Sequence, residues 1–312
     1  MRRTPFTDLV GCKLPLQLAG MGGGLSDVAL ASVVTNTGGL GMIGAAALSS
    51  ADLASTLEAL SDATKGPYGV NFLMPFIERD AVKTAASMSR VCDFHFGTPD
   101  VSYIELAHDG DALAGWQIGS QEEAAQAIEA GCDFIIAQGF EAGGHVRGSL
   151  GLDELLADLI GRVEVPIVAA GGIGTAQRVR DVMDAGAAAV RIGTRFLAAS
   201  ESAAHPEYVA ALIAASSEDT EVSETFNADW PDAPHRALTS SIRAVRETEG
   251  DVIATMGIGD EAWDVPRFSS VPPTKQARGN IAAMAQYAGT SVGSITKRQP
   301  AEEIVNELCA LL

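Results

Sequence analysis

Short apolar runs recur through the first two thirds of the chain, and most are followed by a glycine-rich or polar turn. The runs are almost continuously apolar, which is typical of parallel strands buried on both faces of a sheet. Alanine-rich stretches with a helical pattern separate them. The pattern predicts eight strands: Leu14–Gly20, Leu40–Ala46, Tyr68–Leu73, Val91–Phe96, Leu113–Ile118, Cys132–Gln138, Val165–Ala170 and Ala188–Ile192.

Serine, threonine and acidic residues open several of the intervening stretches, where they suit the start of a helix. Ser120 is one such cap, and Glu122 and Glu123 follow it at the end of the helix that favours anions. The segment after the fourth strand stays ambiguous and reads as a short connection. The predicted helices are Asp27–Thr37, Ser50–Thr64, Glu78–Ser89, Ser120–Ala130, Leu152–Gly161 and Thr175–Ala185.

Eight strand–helix units before residue 200 predict a closed α/β barrel of the TIM (β/α)8 type rather than an open doubly wound sheet. The barrel core is expected at residues 1–200. Beyond it, residues 201–275 are expected to form a lid or side domain, and residues 276–312 closing helices that pack on the barrel. The tail shows helical patterns at His205–Ser216, Gln276–Ala288 and Ala301–Leu312, and Val265–Lys275 looks extended.

The composition restricts the classes of ligand. Of 312 residues, 47% are hydrophobic and 20% are charged, as in a globular protein with a large core. The formal net charge of -19 argues against nucleic acid and anionic membrane surfaces as partners. An anionic ligand would therefore depend on backbone N–H groups or on a few well-placed cations.

The cysteines and the amino terminus exclude further classes. Cys12, Cys92, Cys132 and Cys309 are far apart and form no C-x-x-C pair or cysteine–histidine cluster, so we expect free thiols and no metal site. No apolar run reaches the roughly 18 residues of a membrane span, and no signal-peptide core follows the first arginines. A soluble, cytoplasmic protein is the expectation, and a homo-oligomer stays open.

In a (β/α)8 barrel the active site lies at the carboxyl ends of the strands. Gly171-Gly172 follows the predicted seventh strand, and Gly193-Thr194-Arg195 follows the eighth. Glycines let backbone N–H groups approach phosphate oxygens, and the helix that starts near Thr175 adds the positive end of its dipole. Arg195 could add charge or pair with an acid. The two turns together predict a phosphate site, and ordinary turns are the alternative.

The stretch QGFEAGGHVRG, residues 138–148, places His145 directly after two glycines at the end of the sixth strand. An imidazole can accept a proton from a weak carbon acid or steady an anion when it is charged. His145 is therefore the candidate catalytic residue, and a structural histidine is the alternative. Glu141 could orient His145, cap a helix or pair with Arg147.

Other polar side chains occur at strand ends on the same rim. His95 follows the fourth apolar run and is a candidate on the substrate side. Asn71 and Gln138 carry amides, which can both donate and accept hydrogen bonds along the edge of a heterocycle. A buried network in the barrel mouth is the alternative for these amides.

Several motifs occur together in chain order. QGFEAGGHVRG is preceded by LPLQLAGMGGG, YGVNFLM and FHFG, and it is followed by VPIVAAGGIG and VRIGTRF. This combination resembles the nitronate monooxygenase family, formerly called 2-nitropropane dioxygenases, and ETFNADWPDAPHRAL and AQYAGTSVGSI resemble its later segments. The resemblance covers most of the chain and implies that the predicted barrel binds FMN.

The resemblance also implies roles for single residues. His145 would be the catalytic histidine, and Ala19, Gly20 and Met21 would lie along the isoalloxazine ring. Gly20 departs from the family, whose first motif usually has a proline there, and residues 96–120 diverge at strand ends that face the substrate. The other implied flavin contacts are Asn71, Gln138 and Gly143, with Gly172, Arg191, Ile192, Gly193 and Thr194 at the phosphate, where Gly171 also falls.

The expected reaction is the FMN-dependent oxidation of alkyl nitronates, or of nitroalkanes, by dioxygen to a carbonyl compound and nitrite. The flavin supplies the redox chemistry, and the protein supplies position and electrostatics. One alternative is an NAD(P)H-using flavin oxidoreductase such as the FMN-dependent enoyl-acyl-carrier-protein reductase, which shares EAGGH and the phosphate turns. The other is a flavin-binding protein without catalysis. The physiological substrate stays open.

Overall fold

Eight parallel strands form a closed ring in the computed structural model, which describes residues 3–46, 48–257 and 262–312. They are β1 (Leu16–Leu18), β2 (Gly41–Gly44), β3 (Tyr68–Leu73), β4 (Val91–His95), β5 (Leu113–Ile118), β6 (Phe134–Gln138), β8 (Ile167–Ala170) and β9 (Ala189–Ile192). The short strand β7 (Gly144–His145) lies in the loop after β6 and is not part of the ring. The strand order is β1-β9-β8-β6-β5-β4-β3-β2, and a parallel bridge between Gln17 and Leu40 completes the ring. The predicted TIM barrel is confirmed.

Helices alternate with these strands. They are α1 (Pro5–Val10), α2 (Val28–Thr37), α3 (Ser50–Ala63), α4 (Arg79–Met88), α5 (Val101–Asp109), α6 (Gln121–Glu129), α7 (Leu152–Leu159), α8 (Ala176–Ala185) and α9 (Thr194–Leu197). Side-chain caps explain where several of them begin. The hydroxyl groups of Ser49, Ser120 and Thr175 each accept a hydrogen bond from the backbone N–H three residues later, which confirms the predicted cap at Ser120.

The connection after β4, which the sequence left ambiguous, contains the helix α5. The carboxylate of Asp100 accepts a hydrogen bond of 2.8 Å from the N–H of Ser102 and caps this helix. Only Ile104 and Ala107 of the helix are buried. Because so narrow a face is apolar, the periodicity that normally reveals a helix is weak here.

The tail folds at the mouth of the barrel. Its elements are α10 (Pro206–Ala214), β10 (Thr220–Ser223), β11 (His235–Leu238), α11 (Thr239–Glu247), β12 (Val252–Met256), β13 (Trp263–Pro266), β14 (Arg278–Gly279) and α12 (Ala301–Leu308). Two small antiparallel sheets form, one from β10, β11 and β7 and the other from β13, β12 and β14. In the first sheet His235 pairs with His145, so the tail is joined directly to the loop that carries the candidate catalytic histidine.

The helix predicted at Gln276–Ala288 is wrong. The segment contains β14, a single 3-10 turn at Ile281–Ala283 and otherwise irregular backbone. Gly279 adopts a φ of +117°, which a helix does not allow. Apolar side chains on both sides of the segment, including Met284, are buried in the tail core, so tertiary packing overrides the alanine-rich composition.

The last helix, α12, packs against the barrel. Ile304 and Leu308 are buried in the same apolar cluster as the barrel strands. The guanidinium of Arg195 donates a hydrogen bond of 2.8 Å to the carboxylate of Glu307. Of the two alternatives for Arg195, pairing with an acid is therefore the one observed.

Helix α1 covers the amino end of the barrel. The ring of Phe6 is fully buried and meets the ring of Phe134, the first residue of β6, edge-on at 5.5 Å. Arg90, which directly precedes β4, donates a hydrogen bond of 2.8 Å to the carbonyl of Leu9. Phe6 thus seals the end of the barrel opposite the carboxyl rim.

Replacing Phe6 by alanine should lower the free energy of unfolding by about 3–5 kcal/mol, because it leaves a cavity in the sealed end of the barrel. Urea denaturation followed by circular dichroism measures the change. Leu311→Ala is the control, since Leu311 is 44% exposed and its truncation should change stability by less than about 0.5 kcal/mol. Equal urea midpoints for the two variants would show that Phe6 does not seal the barrel.

Candidate active site

A cavity of about 340 Å³ opens at the carboxyl ends of the barrel strands. The tail contributes Trp230, Val271 and Tyr287 to its wall. Ile192 does not line it but supports it from β9, where its carbonyl accepts a hydrogen bond of 2.8 Å from the N–H of Ala19. All other residues predicted for the site line the cavity: Ala19, Gly20, Met21, Asn71, His95, Gln138, Gly143, His145, Gly171, Gly172, Arg191, Gly193 and Thr194.

A buried carboxylate in the barrel interior holds two of these residues. Asp93 in β4 accepts hydrogen bonds of 2.9 Å from Gln17 in β1 and from Arg191 in β9, and a third from Asn71 in β3. A buried carboxylate without partners would be costly, and these donors, one of them charged, stabilise it. Sequence reasoning missed Asp93, although a lone carboxylate in the apolar run VCDFH was a visible signal.

The turns after β8 and β9 have the backbone of an anion site. Gly171 and Gly172 have φ angles of +102° and +66°, which L side chains rarely adopt. Thr175 caps α8 directly afterwards, and the first N–H groups of a helix have no partner within it. The hydroxyl of Thr194 accepts a hydrogen bond of 3.0 Å from the N–H of Gly289, so its own proton is left for a ligand.

Two glycines of the predicted site make room for protein atoms. A Cβ at Gly20 would lie 2.3 Å from the Cβ of Asn71, so any side chain there would displace the asparagine. A Cβ at Gly143 would lie 2.4 Å from the backbone nitrogen of Gly289 in the tail. Gly144, with φ of +75° and open space around it, turns the chain into β7. Position 143 therefore requires glycine because the backbone of the tail at Gly289 packs against it.

His145 ends β7, and its imidazole lies against the tail. The ring stacks on the indole of Trp230 with centroids 3.8 Å apart and an interplanar angle of 25°. Its Nε2 is closed to solvent and has no hydrogen-bond partner among the described residues. Burial, followed by the neighbouring His235 and His95, lowers the pKa of His145 from 6.5 to about 2. The imidazole is therefore neutral at neutral pH.

His95 supports the backbone of His145. Its Nε2 lies 3.2 Å from the carbonyl oxygen of His145, and Nε2 of Gln138 donates to the same oxygen at 3.0 Å. The amide nitrogen of Gln117 also lies 3.2 Å from Nε2 of His95, and because a carbonyl oxygen accepts whereas an amide nitrogen donates, the two contacts require opposite tautomers of this ring. Burial is the main cause that lowers the pKa of His95 to about 3. Nδ1 of this neutral ring is buried without a partner among the described residues, so His95 retains one unused ring nitrogen in the wall of the cavity.

His235, which pairs with His145 across the β7–β11 sheet, is a structural histidine. Its Nδ1 donates to the carbonyl of Ala233 at 2.9 Å, and its Nε2 accepts from the N–H of Phe226 at 3.2 Å. Both nitrogens are satisfied in one neutral tautomer, and burial lowers the pKa of His235. This ring therefore adds no charge beside His145.

The partners of Glu141 and Arg147 decide between the alternatives for these two residues. Both carboxylate oxygens of Glu141 accept from the N–H of Leu152, at 3.2 and 3.0 Å, so Glu141 caps α7. Arg147 forms an ion pair of 2.6 Å with Glu123, and its guanidinium lies 5.8 Å from the ring centre of Phe96. Arg147 thus pairs with α6, and Glu141 is not its partner.

The lining residues that escaped the sequence reasoning include Gln117, Trp230 and Tyr287. Gln117 lies in β5, inside the segment that diverges from the family. The hydroxyl of Tyr287 donates to the carbonyl of Ser270 at 2.9 Å and ties two tail segments together. Trp230 and Tyr287 lie in the segments ETFNADWPDAPHRAL and AQYAGTSVGSI, which resemble the family, but no local pattern indicates that these segments cross the mouth of the barrel.

The thiols and the helices add little to the site. Burial raises the pKa of Cys12, Cys92 and Cys132 to about 12, so these thiols are poor nucleophiles. Within the part of the chain that the structure describes, no group of three metal-ligating side chains could hold an ion. Over the same residues, no helix has the length and apolar character needed to cross a bilayer.

Comparison with known sequences identifies relatives. The model of the family described as nitronate monooxygenase matches residues 3–87 and 77–310. A probable nitronate monooxygenase from Staphylococcus aureus strain JH9 is 28% identical, over 88% of this chain and 95% of the relative. A 5-hydroxy-7a-methyl-1-oxo-octahydro-1H-indene-4-carboxyl-CoA dehydrogenase from Rhodococcus jostii is 30% identical, over 88% of this chain and 75% of the relative.

Solved structures share the whole fold. FabK from Thermotoga maritima superposes with a TM-score of 0.82 at 27% identity, covering 99% of this chain and 95% of the other. A nitroalkane oxidase from Streptomyces ansochromogenes gives a TM-score of 0.79 at 28% identity, covering 98% and 97%. Because the family model matches the barrel and nearly all of the tail, the chain belongs to the nitronate monooxygenase family and is a flavin-dependent oxidoreductase.

Proposed function

We propose that the enzyme binds FMN in the cavity and oxidises alkyl nitronates with dioxygen to carbonyl compounds and nitrite. The observation that carries the proposal is the neutral imidazole of His145, whose Nε2 lacks a partner in the wall of a cavity with phosphate-type glycine turns. Membership of the nitronate monooxygenase family supports it.

The residues present fit FMN. Gly171-Gly172 and the hydroxyl of Thr194 offer N–H and O–H donors, which suit a phosphate. Arg191 shares the carboxylate of Asp93 with Asn71, so we assign it to the flavin ring with the amides, although the resemblance assigned it to the phosphate. When bound, FMN supplies the electron transfer between the substrate and dioxygen.

The remaining ring contacts follow from hydrogen bonds that are already made. Gln138 uses its NH2 group on the carbonyl of His145, which leaves its side-chain oxygen to accept from the imide N–H of a flavin edge. The N–H of Met21 donates to the hydroxyl of Ser26 at 2.8 Å, and Ala19 is held by β9. The segment 19–21 is therefore fixed at both ends, as a wall along a flat ring requires.

The pKa of His145 decides which form of the substrate suits the site. A neutral imidazole with a pKa near 2 is a weak base and a poor acceptor for the α-proton of a nitroalkane. It can still donate a hydrogen bond from an N–H group to a nitronate, which has already lost that proton. An anion bound nearby would also raise the pKa of His145. We therefore assign the nitronate, and not the neutral nitroalkane, as the substrate.

Holoenzyme mixed with preformed propionate-3-nitronate or 2-propyl nitronate should consume oxygen and release nitrite. The corresponding neutral nitroalkanes should react at least about tenfold more slowly, because the site lacks a base of suitable pKa. An oxygen electrode measures the oxygen consumed with each substrate, and a nitrite assay measures the nitrite released. Rapid bleaching of the flavin by NAD(P)H without nitronate turnover would instead indicate a reductase. Bound and reducible flavin without any turnover would indicate a flavin-binding protein that has no catalytic activity.

His145→Asn should lower kcat for the nitronate by about 100-fold or more, because the variant loses the imidazole beside the reacting atoms. FMN content should not change, since the phosphate donors are untouched. His108→Asn is the matched control: this histidine lies in α5, and its side chain is 42% exposed. A His145→Asn enzyme with full FMN and wild-type kcat would remove His145 from the mechanism.

The pH profile tests the state of the imidazole. Because the pKa of His145 is lowered far below 6.5, the free enzyme does not gain or lose this proton between pH 5.5 and 8. We therefore expect kcat/KM for preformed nitronate to show no inflection near pH 6.5. An inflection near 6.5 that disappears in His145→Asn would mean that the imidazole is charged in the free enzyme.

A further inference from the structure

An irregular segment between β10 and β11 crosses the mouth of the barrel and carries Trp230. The indole is only 6% exposed. It makes T-shaped contacts with the ring of Phe76, with centroids 5.0 Å apart and an interplanar angle of 85°, and with the ring of Phe96, at 4.8 Å and 76°. Its face stacks on His145. Phe76 follows β3 and Phe96 follows β4. Phe76, Phe96 and Trp230 form what we call the aromatic wall of the site.

Hydrogen bonds hold the wall in place. The carboxylate of Asp229, next to Trp230, accepts from the hydroxyl of Ser269 at 3.1 Å and from the N–H of Ser270 at 2.7 Å. The N–H of Ala228 donates to the carbonyl of Phe268 at 3.0 Å. The segment before the indole is therefore tied to the neighbouring tail segment, and Trp230 is not a loose side chain.

Phe96 is held in an unusual backbone conformation. Its φ is +64°, in the left-handed region that residues with side chains rarely adopt. In that conformation its ring meets Trp230, and it also contacts the ring of His145 at 5.6 Å. Strained residues of this kind are found preferentially at functional sites. Phe96 is not among the residues that line the cavity, and it supports the site through its contacts with Trp230 and His145.

The stack leaves Nε2 of His145 without a hydrogen-bond partner but closed to solvent. Trp230 covers the face of the imidazole, whereas the lone pair or proton of Nε2 lies in the plane of that ring. A ligand that reaches Nε2 in this plane must pass alongside Trp230. The whole cavity, about 340 Å³, is at the small end of the roughly 300–1,000 Å³ typical of ligand pockets, and FMN would fill much of it. A flavin in this cavity would leave little space for a substrate beside Trp230.

We propose that Trp230 is the specificity-determining residue of the site and that it restricts the substrate to nitronates with short carbon chains. The inference rests on the proposed function, because it takes His145 as the residue beside the reacting atoms. Trp230 lies in the cavity wall and stacks on His145, so a longer chain that reaches the imidazole would have to displace the indole.

Turnover of a chain-length series tests this directly. Holoenzyme is assayed with the nitronates of nitroethane, 1-nitropropane, 1-nitrobutane and 1-nitrohexane. In the wild type kcat/KM should fall with chain length, and Trp230→Ala should raise the ratio of the hexyl to the ethyl substrate about tenfold. Trp230→Phe should shift the ratio in the same direction by less. Trp263→Ala is the matched control, because Trp263 is 46% exposed on β13, and it should leave the ratio unchanged.

A second readout does not depend on turnover. Straight-chain carboxylates, from propionate to heptanoate, present a planar anion like that of a nitronate, and their binding is followed through the absorbance of the bound flavin. Trp230→Ala should lower the dissociation constant of heptanoate about tenfold relative to that of propionate, and Trp263→Ala should leave this ratio unchanged. If Trp230→Ala fails to retain FMN, Trp230→Phe carries both comparisons.

The two readouts separate the two proposals. A wild type that oxidises nitronates, with chain-length profiles unchanged by both Trp230 variants, would overturn the role of Trp230 and leave the proposed function standing. A wild type that oxidises no nitronate, with carboxylate selectivity that shifts in the Trp230 variants, would overturn the proposed function and support Trp230 as the residue that sets chain length. Absence of both turnover and carboxylate binding would overturn both.

Discussion

The buried carboxylate of Asp93 is the interaction on which the site depends. It joins four strands of the ring, because Gln17, Asn71 and Arg191 donate to it from β1, β3 and β9 while it lies in β4. Removal of one partner from such a buried pair typically costs about 3–5 kcal/mol, since the other charge is left uncompensated. The same bonds orient Asn71 and Arg191, which line the cavity, so the barrel interior and the proposed flavin site are organised by one group.

The second constraint is the exclusion of water around the histidines. His145 is held through its backbone, by His95 and Gln138, and its ring is covered by Trp230. No side chain among the described residues uses its Nε2. Burial keeps the ring neutral and leaves this nitrogen for a ligand, and the tail supplies much of that burial. The tail therefore influences the chemistry of the site as well as access to it.

Much of the site could be predicted, because barrel strands deliver their following residues to one rim. The turn at Gly171-Gly172 and the loop of His145 reach the cavity as expected, each after a readable apolar run. The prediction failed where burial, and not periodicity, selects the structure. Gln276–Ala288 has a helical composition but is buried on several sides in the tail, and α5 has too narrow an apolar face to be recognised.

The sequence by itself determined the barrel and placed the predicted glycines, amides and histidines at its rim, because strand periodicity and the turn after each strand are local properties of the chain. Only the tertiary structure decided what those residues can do. The neutral state of His145, the pairing of Arg191 with Asp93 and the position of Trp230 all arise from contacts between residues far apart in the sequence. Burial and electrostatics depend on the final packing, and no short segment of the chain contains them.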